Sequence, residues 1–179
     1  EVLQDVDRGE AFFGLALSPD DTQLYASGGV AGSVDVFAIQ DDGTLMFDAA
    51  IEVGGYPAGI AVAPDGATLW VGLFDNGEVV EIDTQTRDVR RRLMTPSGVW
   101  DVLHLPDRDE IYTSTLTGAS LSVLDLTQDA PAVEIPVPTS PAGLARNIDG
   151  RVLVAVSGAS MLAAIDPATR TVDDWVWVA

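Results

Sequence analysis

Apolar and polar positions alternate along this chain in short runs. Stretches of about four to six apolar or β-branched residues are separated by Gly, Pro and Asp, which predicts β-strands joined by tight turns. No stretch keeps a 3.6-residue apolar period over the ~10 residues that a helix needs. The runs also repeat. FFGLALSPDDTQLYAS from Phe12, PAGIAVAPDGATLWVG from Pro57, VWDVLHLPDRDEIYTS from Val99 and PAGLARNIDGRVLVAV from Pro141 are four copies of one phrase. Taking Gly14, Gly59, Asp101 and Gly143 as equivalent gives spacings of 45, 42 and 42 residues.

Each copy predicts four strands. The first covers Gly14 to Ser18, Gly59 to Ala63, Val102 to Leu105 and Gly143 to Arg146. The second carries Leu24-Tyr25-Ala26, Leu69-Trp70-Val71, Ile111-Tyr112-Thr113 and Leu153-Val154-Ala155, and its recurrent ring at Tyr25, Trp70 and Tyr112 marks a core stripe. The third is Val34 to Phe37, Val79 to Ile82, Leu121 to Leu124 and Leu162 to Ile165, with Asp83, Asp125 and Asp166 opening the turns after the last three. The most variable fourth, Met46 to Val53, Val89 to Met94, Ala132 to Val137 and Thr171 to Val178, suits an outer edge.

Four antiparallel strands per repeat of this length describe a propeller blade; a parallel β-helix has shorter rungs, and an α-solenoid needs helices. Small residues on strand one (Gly14, Ala16, Gly59, Ala61, Gly143, Ala145) suit the crowded axis. The expectation is therefore an all-β chain of 179 residues forming one propeller domain or part of one. Its repeats run approximately 11–55, 56–98, 99–139 and 140–179, with residues 1–10 supplying a strand, Val2 to Val6, to a preceding or closing blade.

GLALSPDDTQLYAS, GIAVAPDGATLWVG with FDNGEVVEIDTQT after it, and GASLSVLDLTQ resemble the YVTN-type, or YncE-like and lactonase-like, β-propellers. The resemblance covers nearly the whole chain, although copy four has Asn147-Ile148-Asp149-Gly150 in place of a Pro-Asp turn. It implies a ring of seven blades, an exported bacterial or archaeal protein in a periplasmic or extracellular setting, and membership of a larger protein with a phosphoesterase domain. For propeller lactonases it implies sites at the mouth where strand one begins.

Four blades leave three arrangements open: an arc of a longer ring, a closed four-blade ring, or two chains completing one ring. The extra strand at Val2 to Val6 favours the arc. An arc would leave Leu153, Val154, Leu162 and Ile165 exposed and would pair with other chains or blades through its open ends.

The charge narrows the partners. There are 28 acidic residues against 9 basic ones, all nine of them Arg, for a net charge of −19. Such a chain repels phosphate backbones and anionic membrane surfaces, so no nucleic-acid partner is expected. No apolar run reaches the ~18 residues of a membrane span. The absence of Cys excludes disulfides and thiolate chemistry.

No nucleophile elbow, phosphate loop, calcium loop or metal-ligand spacing is present, and no cofactor or metal is expected. Asp41-Asp42-Gly43 is a hairpin turn, Asp107 to Glu110 a solvated loop, and Arg90 to Arg92 an exposed stretch of outer strand. His104, the only His, shares its repeat position with Leu17, Val62 and Arg146, which makes His104 and Arg146 the candidate catalytic pair or simply a polar tunnel end. At the other mouth Phe12, Phe13, Tyr56, Trp100 and Asp101 feed strand one, joined by Asp75, Asn76, Thr117 and Ser160 from the loops between strands two and three. Phe13, Tyr56, Asp75, Asn76, Trp100 and Asp101 are the candidate ligand-binding residues; aromatics plugging the axis would present the same pattern. The expected function is a non-catalytic scaffold binding a protein or small molecule at the axial face, with a propeller lactonase acting on a sugar lactone as the alternative.

Overall fold

The computed structural model describes residues 4–8 and 13–178. Among the described residues sixteen strands form four antiparallel sheets, each in chain order. Blade one holds β1 (Leu15–Leu17), β2 (Gln23–Ser27), β3 (Ser33–Ile39) and β4 (Leu45–Glu52). Blade two holds β5 (Pro57–Val62), β6 (Thr68–Leu73), β7 (Glu78–Asp83) and β8 (Val89–Met94). Blade three holds β9 (Asp101–Leu105), β10 (Glu110–Ser114), β11 (Ser120–Asp125) and β12 (Val133–Pro136), and blade four β13 (Pro141–Arg146), β14 (Val152–Val156), β15 (Met161–Asp166) and β16 (Thr171–Trp177).

Repeated turn residues recur in the same role in several copies. After β5, Gly66 donates its amide to Ala63 (2.8 Å) at a positive φ of 72°, while Asp65 Oδ1 accepts the amide of Ala67 (2.9 Å). The Asp closing strand three accepts an amide two residues on in blades two, three and four: Gln85 to Asp83 (2.8 Å), Thr127 to Asp125 (2.9 Å) and Ala168 to Asp166 (2.8 Å). These Asx turns fix the register of the outer hairpin. In copy four, Asn147 replaces the Pro-Asp turn by accepting Arg151 N on its side chain (2.9 Å) and Gly150 N on its carbonyl (3.0 Å).

The inner strands form a series: β1 packs beside β5, β5 beside β9, and β9 beside β13. The series stops there, with Leu15 62% and Leu17 52% exposed, so the blades make an arc of a propeller. A methyl on Gly14 would crowd the Ala58 carbonyl and one on Gly59 would overlap the Asp101 backbone, whereas Gly143 has open space around it. Ser27 ties blade one to blade two by donating to the Ala58 carbonyl (2.6 Å), and Ser114 donates likewise to Ala142 between blades three and four.

Three apolar clusters fill the gaps between blades. Tyr25, Val36, Ile60, Leu69 and Val80 belong to the cluster between blades one and two, and Leu105, Tyr112, Val123, Val154 and Ile165 to the one between blades three and four. The middle gap holds Trp70, Val79, Val99, Val102, Ile111 and Leu124.

The open ends differ from the expectation in two ways. Leu153 and Leu162 are only half-buried on the far face of blade four, but Val154 and Ile165 are fully buried. Alternation along a strand sends neighbours to opposite faces, and these two point at blade three. The expected Val2 to Val6 strand lies partly outside the described residues, and residues 4–8 carry no strand. Instead, Gln4 uses its side-chain amide as a strand would use its backbone, donating to Leu45 O (2.6 Å) and accepting Leu45 N (2.7 Å). Arg8 then lies against the outward face of blade one, donating to Asp35 (2.7 Å) with its guanidinium 3.6 Å from the Phe47 ring centre.

Candidate functional site: an aromatic mouth

Three loops that enter strand one each bring a ring to the same end of the arc. Phe13 precedes β1, Tyr56 precedes β5 and Trp100 precedes β9, and Phe74, just past β6, fits between the last two. The rings form a row: Phe13 to Trp100 (4.2 Å between centres, 76°), Trp100 to Phe74 (5.7 Å, 75°) and Phe74 to Tyr56 (6.1 Å, 67°). Edge-to-face contacts of this kind add to the burial of each ring.

Backbone hydrogen bonds hold the row. Phe13 N donates to Ser27 O (2.9 Å), Trp100 N to Ser114 O (2.8 Å) and Phe74 N to Tyr56 O (2.8 Å). Tyr56 rests over Gly29, where a methyl would stand 3.0 Å from its ring, and Gly29 has a φ of 56°. Phe13 is 38% exposed; Tyr56, Phe74 and Trp100 are half-buried.

The polar candidates divide. Asp75 accepts the Tyr56 amide (2.8 Å), which folds the loop after β6 against the row, and both Asp75 and Asn76 are exposed beside Gly55. Asp101 stands where the other copies have Gly. Its Oδ1 accepts Val102 N (2.9 Å) and its Oδ2 accepts Leu144 N (2.8 Å) from blade four. Burial pushes this carboxyl up from its ordinary value, and the two amides pull partly against that shift. Thr117 lies 3.3 Å from Thr115, oxygen to oxygen, and Ser160 takes a left-handed φ of 51° at the end of its turn. Phe12 lies outside the described residues.

Phe74 was not among the residues expected at this mouth. The signal was its position, immediately before Asp75 and Asn76, which were.

His104 and Arg146 are not brought together. His104 shares a face of β9 with Val102 and turns into the gap between blades two and three, its ring 5.8 Å from Trp70. Its Nδ1 and the Trp70 Nε1 are buried without a hydrogen-bond partner among the described residues, and burial lowers the imidazole pKa. Arg146 donates through both terminal nitrogens to Asp107 (2.6 and 2.7 Å), holding that carboxylate below its ordinary range.

All nine arginines lie within ion-pair distance of a carboxylate. The outer strand β8 matches Arg90 with Asp83, Arg91 with Glu81 and Arg92 with Glu78 (2.8 Å). Arg8 meets Asp35, Arg87 meets Asp48, Arg146 meets Asp107, Arg151 meets Asp173 (3.1 Å), and Arg108 and Arg170 share the buried Glu110. None of the nine lies in the loops of the aromatic mouth.

A groove of about 500 Å³ runs elsewhere, between Leu93 and Met94 of β8 and Leu124, Gln128 and Pro131 of blade three. Among the described residues no group of three or more His, Asp or Glu side chains is arranged to hold a metal ion, and no helix is long and apolar enough to cross a membrane.

Comparison with known proteins bears on the fold. No curated protein sequence matches. Solved structures do: Kuenenia stuttgartiensis hydrazine synthase (TM-score 0.80, 20% identity, 96% of this chain and 52% of that one) and a putative 6-phosphogluconolactonase from Bacteroides uniformis (0.78, 15%, 93% and 55%). Virginiamycin B lyase from Staphylococcus aureus is a third (0.72, 15%, 90% and 54%). The chain spans about half the length of each of these structures. At such identities the likeness is one of fold, shared by proteins with different activities. The sequence also matches the family described as lactonase, 7-bladed beta-propeller, over residues 7–100. With just over half of its residues inside that match, and four successive blades built to one plan, the chain belongs to the seven-bladed β-propeller lactonase family.

Proposed function

We propose that this chain is a ligand-binding part of a propeller and that its site is the aromatic mouth. The observation that carries the proposal is the row Phe13, Trp100, Phe74 and Tyr56, four partly exposed rings converging from separate loops and fixed by backbone hydrogen bonds. A rigid apolar surface with a few polar groups beside it is how small-molecule sites are built. A fragment screen read by the Trp100 indole resonance tests it. Binders should shift that resonance, and calorimetric titration should show their affinity lost in Trp100→Ala; binders that shift only residues elsewhere would overturn the proposal.

The family match favours a second reading, hydrolysis of a sugar lactone. In that reading Asp101, at the start of β9 beside Trp100, is the acid to test as proton acceptor, although its two oxygens already accept the Val102 and Leu144 amides. Titrimetric assay of gluconolactone opening, with and without divalent metal, separates the two. Turnover lost in Asp101→Asn and kept in His104→Ala would favour the enzyme; no turnover leaves the scaffold.

A further inference from the structure

We propose that the aromatic mouth selects cationic ligands of the alkylammonium class, an inference that rests on the mouth being the binding site. Three observations converge. The first is the rings: successive contacts near right angles (76°, 75° and 67°) turn neighbouring π-faces in different directions along a partly exposed row. The negative faces of such rings attract an ammonium group at contact distance.

The second is charge. Among the described residues, the loops at this end carry the acids Asp75 and Asp101 and no Arg. Asp75 is exposed, and its Oδ1 accepts Tyr56 N; its other oxygen has no hydrogen bond among the described residues.

The third is the disposition of the basic residues. An anionic ligand such as a sugar phosphate needs a guanidinium, an ammonium or a nest of free amides. The chain has no Lys, and each of its nine arginines is already matched to a carboxylate. Arg92, on the outer strand of blade two, is held by Glu78 and by the Val53 carbonyl (2.7 Å). Bringing any of them to an anion would take it from a carboxylate within a field of −19.

The test compares three probes at low salt: choline, its neutral isostere 3,3-dimethylbutan-1-ol, and the anion glucose 6-phosphate. The readout is the Trp100 indole resonance for the parent chain and Asp75→Asn, and calorimetric titration for the Trp100 variants, which lack that resonance. Choline should give saturable shifts, the alcohol should bind roughly tenfold more weakly, and the sugar phosphate should give none. Trp100→Phe should weaken choline and Trp100→Ala abolish it. Asp75→Asn keeps an acceptor for Tyr56 N and should weaken choline roughly two- to threefold without unfolding the loop. Equal binding of choline and the alcohol would overturn the charge preference while leaving the mouth as a site. Tighter binding of the sugar phosphate, or no shift with choline, would overturn it as well, and the fragment screen then decides the broader reading separately.

Discussion

Leu144 donates its amide to Oδ2 of Asp101 across 2.8 Å, so the acid that opens blade three also holds the first strand of blade four. Asp101→Ala leaves that amide without its acceptor and should cost about 1–3 kcal/mol in urea unfolding. Because burial raises this carboxyl in the folded state, its contribution to stability is complete below the unfolded value of 3.8 and is lost as pH rises through the folded value. Asp101→Asn should flatten that decline. Urea midpoints between pH 4 and pH 7 give the answer, and an unchanged slope would count against the assignment.

The buried imidazole behaves in the opposite sense. His104 has its pKa lowered from 6.5 by burial, so its protonation favours the unfolded chain and stability drains away as pH falls below 6.5. The equivalent positions in copies one and two are Leu17 and Val62. His104→Leu removes an unpartnered buried nitrogen and should raise stability by about 1 kcal/mol at pH 7, with a larger gain at pH 5.5. Thermal melts at the two pH values measure it; a loss at both would mean that Nδ1 is satisfied.

Arg87 and Arg170 occupy the same place in their repeats, four residues after the turn-opening Asp, both at positive φ (65° and 55°). Their partners differ. Arg170 reaches back to Glu110, which is 3% exposed, while Arg87 meets Asp48 at the surface. Arg170→Met should cost about 1.5–3 kcal/mol, the range for a charged hydrogen bond with a buried partner. Arg87→Met should stay within about 1 kcal/mol, the range of surface pairs. Equal losses would show that burial of the carboxylate is not what matters.

Gly59 and Gly143 are the same letter of the same phrase with opposite surroundings. Gly59→Ala drives a methyl into the backbone of Asp101 and should cost about 1–3 kcal/mol or more. Gly143→Ala meets nothing within 4 Å and, at an ordinary backbone conformation, should leave stability unchanged or raise it by about 0.4–1 kcal/mol. Calorimetric midpoints of the two variants check the contrast.

The blades were legible in the sequence because their signal is local: strand alternation, Asp-Gly turns and a repeat in which Asp83, Asp125 and Asp166 play one part three times. The aromatic mouth was partly legible, since Phe13, Tyr56 and Trp100 all precede a first strand. What failed to show depends on which side of a strand faces which neighbour. Val154 and Ile165 look as exposed as Leu153 and Leu162 until alternation assigns the first pair to the gap with blade three. His104 and Arg146 align in the repeat, yet the strand pleat and Asp107 send them to different places. The Gln4 clasp on Leu45 is a long-range contact with no periodicity to announce it.

The three gaps between blades are unequally filled. Among the described residues, eleven buried apolar side chains close the first and eleven the third, against six in the middle, where Trp70 and His104 leave two nitrogens unsatisfied and an open groove runs along the outer rim. The arc is thus two tight leaves joined along a thinner spine. Cooperative units break where burial is sparse, so amide exchange should begin beside Trp70 and His104, and a partner or ligand that wedges the leaves apart would act on this spine before it disturbed either leaf.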